Sequence, residues 1–225
     1  MADNPQLGDH TASAIGTLTC ITAVDVSGSP WLDDRRAAKM LDSSSGRLLE
    51  LTASRCEALG DEGVAAVLGR KQPWGFARRT SHCALERLLL DACPRVHGTF
   101  LELLTRLAPN LAQVDLSGTA ADYATGIANL WVCSQLSSLS LSSCASLGDD
   151  AILALAGLDP GSADPARIVA LSLEAASSGG ATALRLLRAE VPDSAHPPPR
   201  LELLDLTGCG LTSVGAVAAT LLIPT

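Results

Sequence analysis

Apolar and small residues recur along this chain at one fixed internal spacing: apolar-x-x-apolar-x-apolar-x-x, closed by cysteine or another small residue. Four copies close on cysteine: Leu48, Leu51, Ala53, Cys56; Leu85, Leu88, Leu90, Cys93; Leu136, Leu139, Leu141, Cys144; and Leu201, Leu204, Leu206, Cys209. Three more keep the spacing with Ser, Thr or Ala in the last slot. These are Ile21, Val24, Val26, Ser29; Leu111, Val114, Leu116, Thr119; and Ile168, Leu171, Leu173, Ala176. The starts at 21, 48, 85, 111, 136, 168 and 201 lie 27, 37, 26, 25, 32 and 33 residues apart. Three intervals cluster near 26, and the other three fit the same unit carrying roughly 6 to 11 extra residues.

Each copy predicts a short strand, because alternate residues of an extended chain face the same side. The better copies then run through Leu and Asp into a helical pattern. Asp61 opens the run Val64 to Leu68, and Asp149 opens Ala151 to Leu155. An acidic residue at the head of such a run predicts a helix N-terminus, where its carboxylate meets free backbone N–H groups and the positive dipole end. Every crossover through a helix makes neighbouring strands parallel. A single unit cannot bury its own apolar face, so units must stack. Helices are bulkier than strands, so the stack is expected to curve with the sheet on its inner side and the cysteine slot facing inward.

The string Leu-x-x-Leu-x-Leu-x-x-Cys-x-x-Leu-x-Asp resembles the cysteine-containing leucine-rich repeat of F-box/leucine-rich-repeat proteins and ribonuclease-inhibitor-like solenoids. The resemblance covers roughly Leu18 to Ile223. It implies an α/β leucine-rich-repeat solenoid of about seven repeats, with a parallel sheet on the concave face and helices on the convex face. It also implies a non-catalytic scaffold that recognises a protein partner, in a ubiquitin-ligase or multisubunit-assembly setting. No F-box precedes the repeats. The expected organisation is a tail or partial cap over 1–17 and a repeat domain over 18–225, with insertions at 69–82, 158–166 and 191–200.

Composition narrows the reading. The chain has 225 residues, 47% of them hydrophobic but only 3% aromatic, so an aliphatic core is expected and a disordered chain is excluded. A net charge of −8 disfavours nucleic acid as a partner. Seven cysteines, an odd number thinly spread, fit a reducing compartment better than a disulfide framework. The start of the chain lacks the features of a secretory or mitochondrial leader, and no apolar run is long enough to span a bilayer. An intracellular, cytoplasmic location without membrane contact is the expectation.

Two surfaces carry candidate partner-binding residues. Outward strand positions read Asp25, Thr52, Leu89, Asp115, Ser140, Ser172 and Asp205, followed two residues on by Ser27, Ser54, Asp91, Ser117, Ser142, Glu174 and Thr207. This acidic, hydroxyl-rich face, with Glu50 adding charge and Arg55 and Arg87 interrupting it, suits a basic or hydroxyl-bonding peptide; alternatively, its short polar side chains only keep the sheet solvated. The second surface lies in the insertion 69–82, where Arg70, Lys71, Arg78 and Arg79 surround Trp74 and Phe76. Trp and Arg dominate interface energetics, and loops carry function disproportionately. Here too there is an alternative, with Trp74 folded back over the edge of its unit. The Pro-rich stretches 158–166 and 191–200 read as spacers.

No phosphate-cradling Gly-x-x-x-x-Gly-Lys loop or Gly-x-Ser-x-Gly elbow occurs. His82, Cys83, Cys93 and His97 are zinc-like in type, but Cys93 occupies the inward slot. No cofactor, metal site or enzymatic activity is expected. Cys20, Cys83 and Cys133 each precede a strand and are expected to be buried. After Leu204 to Leu206 the chain runs as an apolar, helix-like stretch from Val214 to Ile223. Nothing beyond it would cover that last strand, so a longer gene product or a docking neighbour is expected.

Overall fold

The computed structural model describes residues 8–41, 47–69, 83–122, 126–155 and 201–211. A first helix, α1 (Asp9–Gly16), precedes strand β1 (Ala23–Asp25). The strands β2 (Glu50–Thr52), β3 (Arg87–Leu89), β4 (Gln113–Asp115), β5 (Ser138–Ser140) and β6 (Leu203–Asp205) follow. Among the described residues the connections hold α2 (Asp34–Leu41), α3 (Asp61–Val67), α4 (Leu101–Leu107), a 3-10 helix (Ile127–Val132) and α5 (Asp149–Leu155). The six strands form one parallel sheet in chain order.

The register sets Val24, Leu51, Leu88, Val114, Leu139 and Leu204 side by side in one row. These are the residues that the alternation turns inward. Leu51, Leu88, Val114 and Leu139 are buried to within 2% of complete exclusion, whereas Val24 and Leu204, on the two outer strands, are half-buried. The ladder continues past each strand. Val26, Ala53, Leu90, Leu116 and Leu141 each donate N–H to the next strand's carbonyl at 2.9 Å. The amides two residues later, from Gly28, Arg55, Ala92, Gly118 and Ser143, repeat this at 2.7 or 2.8 Å.

That second set of bonds requires a left-handed backbone. Gly28, Gly118 and Gly208 take φ of 63°, 66° and 73°, and Arg55, Ala92 and Ser143 adopt the same conformation at 56°, 54° and 58°. Glycine enters this region without steric cost, and other L-residues do so at about 1–2 kcal/mol. Six equivalent positions therefore turn the chain out of the sheet in one way, three of them with a side chain that resists it.

The cysteine slot faces inward, as the pattern requires, and it also forms hydrogen bonds between strands. Cys56, Cys93, Cys144 and Cys209 each donate Sγ–H to a carbonyl of the preceding strand segment: Val26, Ala53, Leu116 and Leu141, at 3.3, 3.0, 3.1 and 3.0 Å. Thr119 fills the same slot and donates within its own segment, to the Leu116 carbonyl at 2.6 Å.

Helices α3 and α5 begin at Asp61 and Asp149, as the sequence predicts, but the Asp61 carboxylate does not cap its own helix. Its Oδ1 accepts the amides of His97 and Gly98, and its Oδ2 accepts the amide and hydroxyl of Thr99, at 2.9–3.1 Å. Asp34 likewise accepts the Gly60 amide at 2.6 Å. The following unit offers free donors at the point where each helix starts, so these carboxylates join neighbours. Gly63 allows α2 and α3 to meet, since a Cβ there would lie 2.8 Å from Asp34 Cα. Helix α1 packs on α2, burying Ala12 and Ile15, and Arg36 joins Asp9 at 2.6 Å and Asp33 at 2.9 Å.

One neighbour relation departs from the pattern. The seven copies in chain order would place the strand of Ile168 to Ala176 between β5 and β6, yet Leu139 pairs directly with Leu204. Every rung presents the same apolar teeth and the same backbone bonds, so periodicity defines a rung without choosing its neighbour. Residues 168–176, the insertions 158–166 and 191–200, residues 70–82 and the stretch 214–223 lie outside the described residues.

Candidate functional site

The polar face of the sheet is built by register. One row holds Asp25, Thr52, Leu89, Asp115, Ser140 and Asp205, and the row before it holds Ala23, Glu50, Arg87, Gln113, Ser138 and Leu203. Each is the outward neighbour of an inward apolar residue, so burying the core forces these side chains onto the opposite face. Of the positions two residues beyond the first row, Ser54, Asp91, Ser117 and Ser142 are half-buried and Thr207 is exposed. Ser27 is buried, at 7% exposure.

The carboxylates are held by the chain that follows them. Asp25 accepts the Ser27 amide at 3.0 Å and its hydroxyl at 2.7 Å. Asp115 accepts the Ser117 amide at 2.9 Å and its hydroxyl at 2.6 Å, and Asp205 accepts the Thr207 amide at 2.9 Å. The Ser27 amide and hydroxyl hold the Asp25 carboxyl below the usual carboxylate range, and the Thr207 hydroxyl and amide do so for Asp205. Both are therefore ionised at neutral pH. Ser54 donates to Asp91, Ser117 and Ser140 share a hydrogen bond at 2.6 Å, and Glu50 pairs with Arg87. The face presents fixed negative charge and hydroxyls, with the one cation of the two register rows, Arg87, already paired.

This arrangement supplies no evident nucleophile. Burial pushes the thiols of Cys56, Cys83, Cys93, Cys133, Cys144 and Cys209 upward, Cys93 and Cys133 to about 11, so they stay protonated. Cys83 and Cys133 are buried as expected. Cys20 is exposed instead, with the Arg47 guanidinium 3.7 Å from its sulfur, because the turn leading into the first strand leaves it at the surface. Cys83 and Cys93 are enclosed in the core while His97 is exposed, so these members of the zinc-like set do not converge. No metal-holding cluster occurs among the described residues. A void beneath the first strands is lined by Leu32, Met40, Leu51, Leu59 and other aliphatic side chains, none of them reactive.

Asp25, Arg87, Asp91, Asp115 and Asp205 are thus brought to one side of the sheet. Arg70, Lys71, Trp74, Phe76, Arg78 and Arg79 lie outside the described residues. Two features had no direct signal in the sequence. The Asp-x-Ser/Thr hydrogen bonds after β1, β4 and β6 were legible only as a recurrence of those residue types. The hydroxyl of Ser29 and the indole N–H of Trp31 are buried without a partner.

A family model described as Leucine Rich repeat matches residues 132–156 and 200–218. These stretches contain β5 with α5, and β6, which the sheet makes neighbours. The matches support a leucine-rich-repeat protein; such repeats generally mediate protein–protein interaction, and proteins built from them are generally non-catalytic scaffolds. No curated protein matches the chain. Among the described residues, no helix is long and apolar enough to cross a membrane.

Proposed function

We propose that this chain is a non-catalytic recognition scaffold that holds a protein partner against the acidic, hydroxyl-bearing face of its sheet. The basic segment 69–82, with Trp74 flanked by Arg78 and Arg79, serves as a second contact. In this reading the molecule is a curved solenoid of about seven cysteine-containing leucine-rich repeats with the sheet on the concave side. Its setting is a ubiquitin-ligase or other multisubunit assembly. The observation that carries the reading is the in-register polar face over a core that encloses the slot thiols Cys56, Cys93 and Cys144. The carboxylates of this face, with Asp25 and Asp205 held below the usual range, favour a partner surface rich in Lys, Arg or hydroxyl donors.

The test uses the full chain as bait, with cross-linking and mass spectrometry to identify what it holds. One variant carries Asp25→Lys, Asp115→Lys and Asp205→Lys; a second carries Trp74→Ala, Arg78→Ala and Arg79→Ala. Loss of a partner from at least one folded variant is expected. Retention by both, with unchanged melting, removes the proposal.

A second reading is favoured by β6. Leu203 is 56% exposed, and Leu204 and Leu206 are only half-buried where their counterparts in β2 to β5 are enclosed. This suits a structural subunit whose neighbour caps that end. Size-exclusion chromatography of the isolated chain separates the two: a recognition module runs as a soluble monomer, and an assembly subunit aggregates or copurifies with neighbours.

A further inference from the structure

The five junctions between adjacent strands repeat one set of backbone bonds, and among the described residues the first strand carries that set with nothing opposite. At each junction an outward residue of the later strand donates its amide to the preceding segment. Glu50 donates to the Thr22 carbonyl at 3.1 Å, and Arg87, Gln113, Ser138 and Leu203 do the same to their neighbours at 3.0 or 3.1 Å. The carbonyls of Thr52 and Ser54 accept from the preceding strand at 2.9 and 2.7 Å. Where the slot holds cysteine, its thiol donates back to a carbonyl of that preceding strand, as Cys56 does to Val26; Thr119 donates instead to Leu116 of its own segment.

In the register of β1 the equivalents are the amide of Ala23, the carbonyls of Asp25 and Ser27, and the hydroxyl of Ser29. Among the described residues these three backbone groups have no backbone partner. Ser29 is completely buried and its hydroxyl is unbonded. Four cysteines in the same slot donate to the preceding strand and the Thr119 hydroxyl donates within its own segment, whereas Ser29 makes neither bond. A buried unpaired hydroxyl requires an explanation, and a missing acceptor supplies it. Meanwhile α1 packs on α2 as α2 packs on α3, so the helix layer at this end is already filled. Among the described residues the sheet layer ends at β1.

We propose that the open edge of β1 binds an extended segment of a partner protein, running parallel to β1, with the pattern apolar-x-apolar-x-Gly and a basic residue at the first x. The two apolar residues continue the inward row, glycine takes the left-handed turn, and the second apolar residue's carbonyl accepts the Ser29 hydroxyl. The basic residue lies beside exposed Asp25. Strand addition of this kind takes its affinity from main-chain bonds and its specificity from alternate side chains. A second copy of this chain fits less well, because its β6 would set Asp205 beside Asp25, and like charges directly opposite are destabilising. This edge is separate from the polar face, so it stands or falls independently of the function proposed above.

The probe is a fluorescein-labelled peptide of residues 201–210 carrying Asp205→Lys and Cys209→Ser, titrated by anisotropy into the full chain. Saturable binding is expected. Ala23→Pro removes the edge amide while leaving the bonds to β2, because proline is tolerated on a sheet edge. It is expected to weaken binding about tenfold or more with unchanged melting, as several main-chain bonds fail together. Ser29→Ala is expected to leave the free chain as stable or more so, yet to weaken the peptide about fivefold. Failure of the wild-type chain to bind, or equal binding by wild type and both variants, overturns the proposal. Concentration-dependent assembly of the chain, abolished by Ala23→Pro and with no peptide binding, assigns the edge to a second copy and also overturns it.

Discussion

Removing the Asp61 side chain is the sharpest test of how the units are held together. Its carboxylate accepts four hydrogen bonds, three from consecutive amides and one from a hydroxyl, all across a junction. Of the three amide donors, Gly98 is buried while His97 and Thr99 are exposed. In Asp61→Ala the exposed donors rehydrate, leaving about 0.5 kcal/mol lost at each, and the enclosed Gly98 amide costs about 1–2 kcal/mol. With the Thr99 hydroxyl counted among the exposed donors, the total is about 2.5–3.5 kcal/mol. Urea unfolding should show a lower midpoint at constant slope. Asp61→Asn keeps one acceptor oxygen and should lose roughly half as much. Exposed Glu57 is a control, its Ala variant being expected within about 0.5 kcal/mol of wild type. A helix-dipole role would make the Asn and Ala variants equally costly and would vanish in about 1 M salt. Either that pattern, or an Asp61→Ala loss no larger than that of Glu57→Ala, would refute the inter-unit bond as the source of stability.

Ala92→Gly should raise stability by about 0.5 kcal/mol, because its left-handed strain outweighs the added freedom of the unfolded chain. Gly118→Ala should lower it by a similar amount, since the new Cβ meets only ordinary contacts at 3.6 Å. Thermal melts measure both. Gly63→Ala, whose Cβ would press on the α2 backbone, should cost about 1–3 kcal/mol despite alanine's better helix propensity. Under native conditions a thiol reagent should label Cys20 promptly and reach Cys56, Cys93, Cys133 and Cys144 only on unfolding. Folded Cys93 and Cys133 hold their protons to about 11 against an ordinary value of 9.0, so the unfolded chain ionises first. Stability should therefore be intact below pH 9 and fall as pH rises toward 11; a flat denaturation midpoint over that range contradicts the burial of these thiols.

Much of the architecture was legible in the chain itself. The inward residues Leu51, Leu88, Val114 and Leu139 follow from alternation alone, and Gly28, Gly118 and Gly208 flag the turn that follows them. The polar rows come with them, because a residue beside an inward leucine has only the other face to occupy. A strand of three residues cannot survive without neighbours, so stacking was also implied by the pattern.

What the pattern could not specify is everything that depends on which unit lies next to which. Nothing in Arg55, Ala92 or Ser143 announces a left-handed backbone; the shared ladder imposes it. The Asp61 carboxylate bonds the amides of another unit because the tertiary stack brings them nearer than those of its own helix. Leu139 chooses Leu204 across a long stretch of chain, since equal rungs leave that choice to three-dimensional packing. Ser29 reads as an ordinary small residue in a repeating slot, and only the packed structure shows its hydroxyl buried without an acceptor. Local alternation depends on adjacent bonds and is written in the chain, whereas contacts between units depend on through-space distances that exist only after folding.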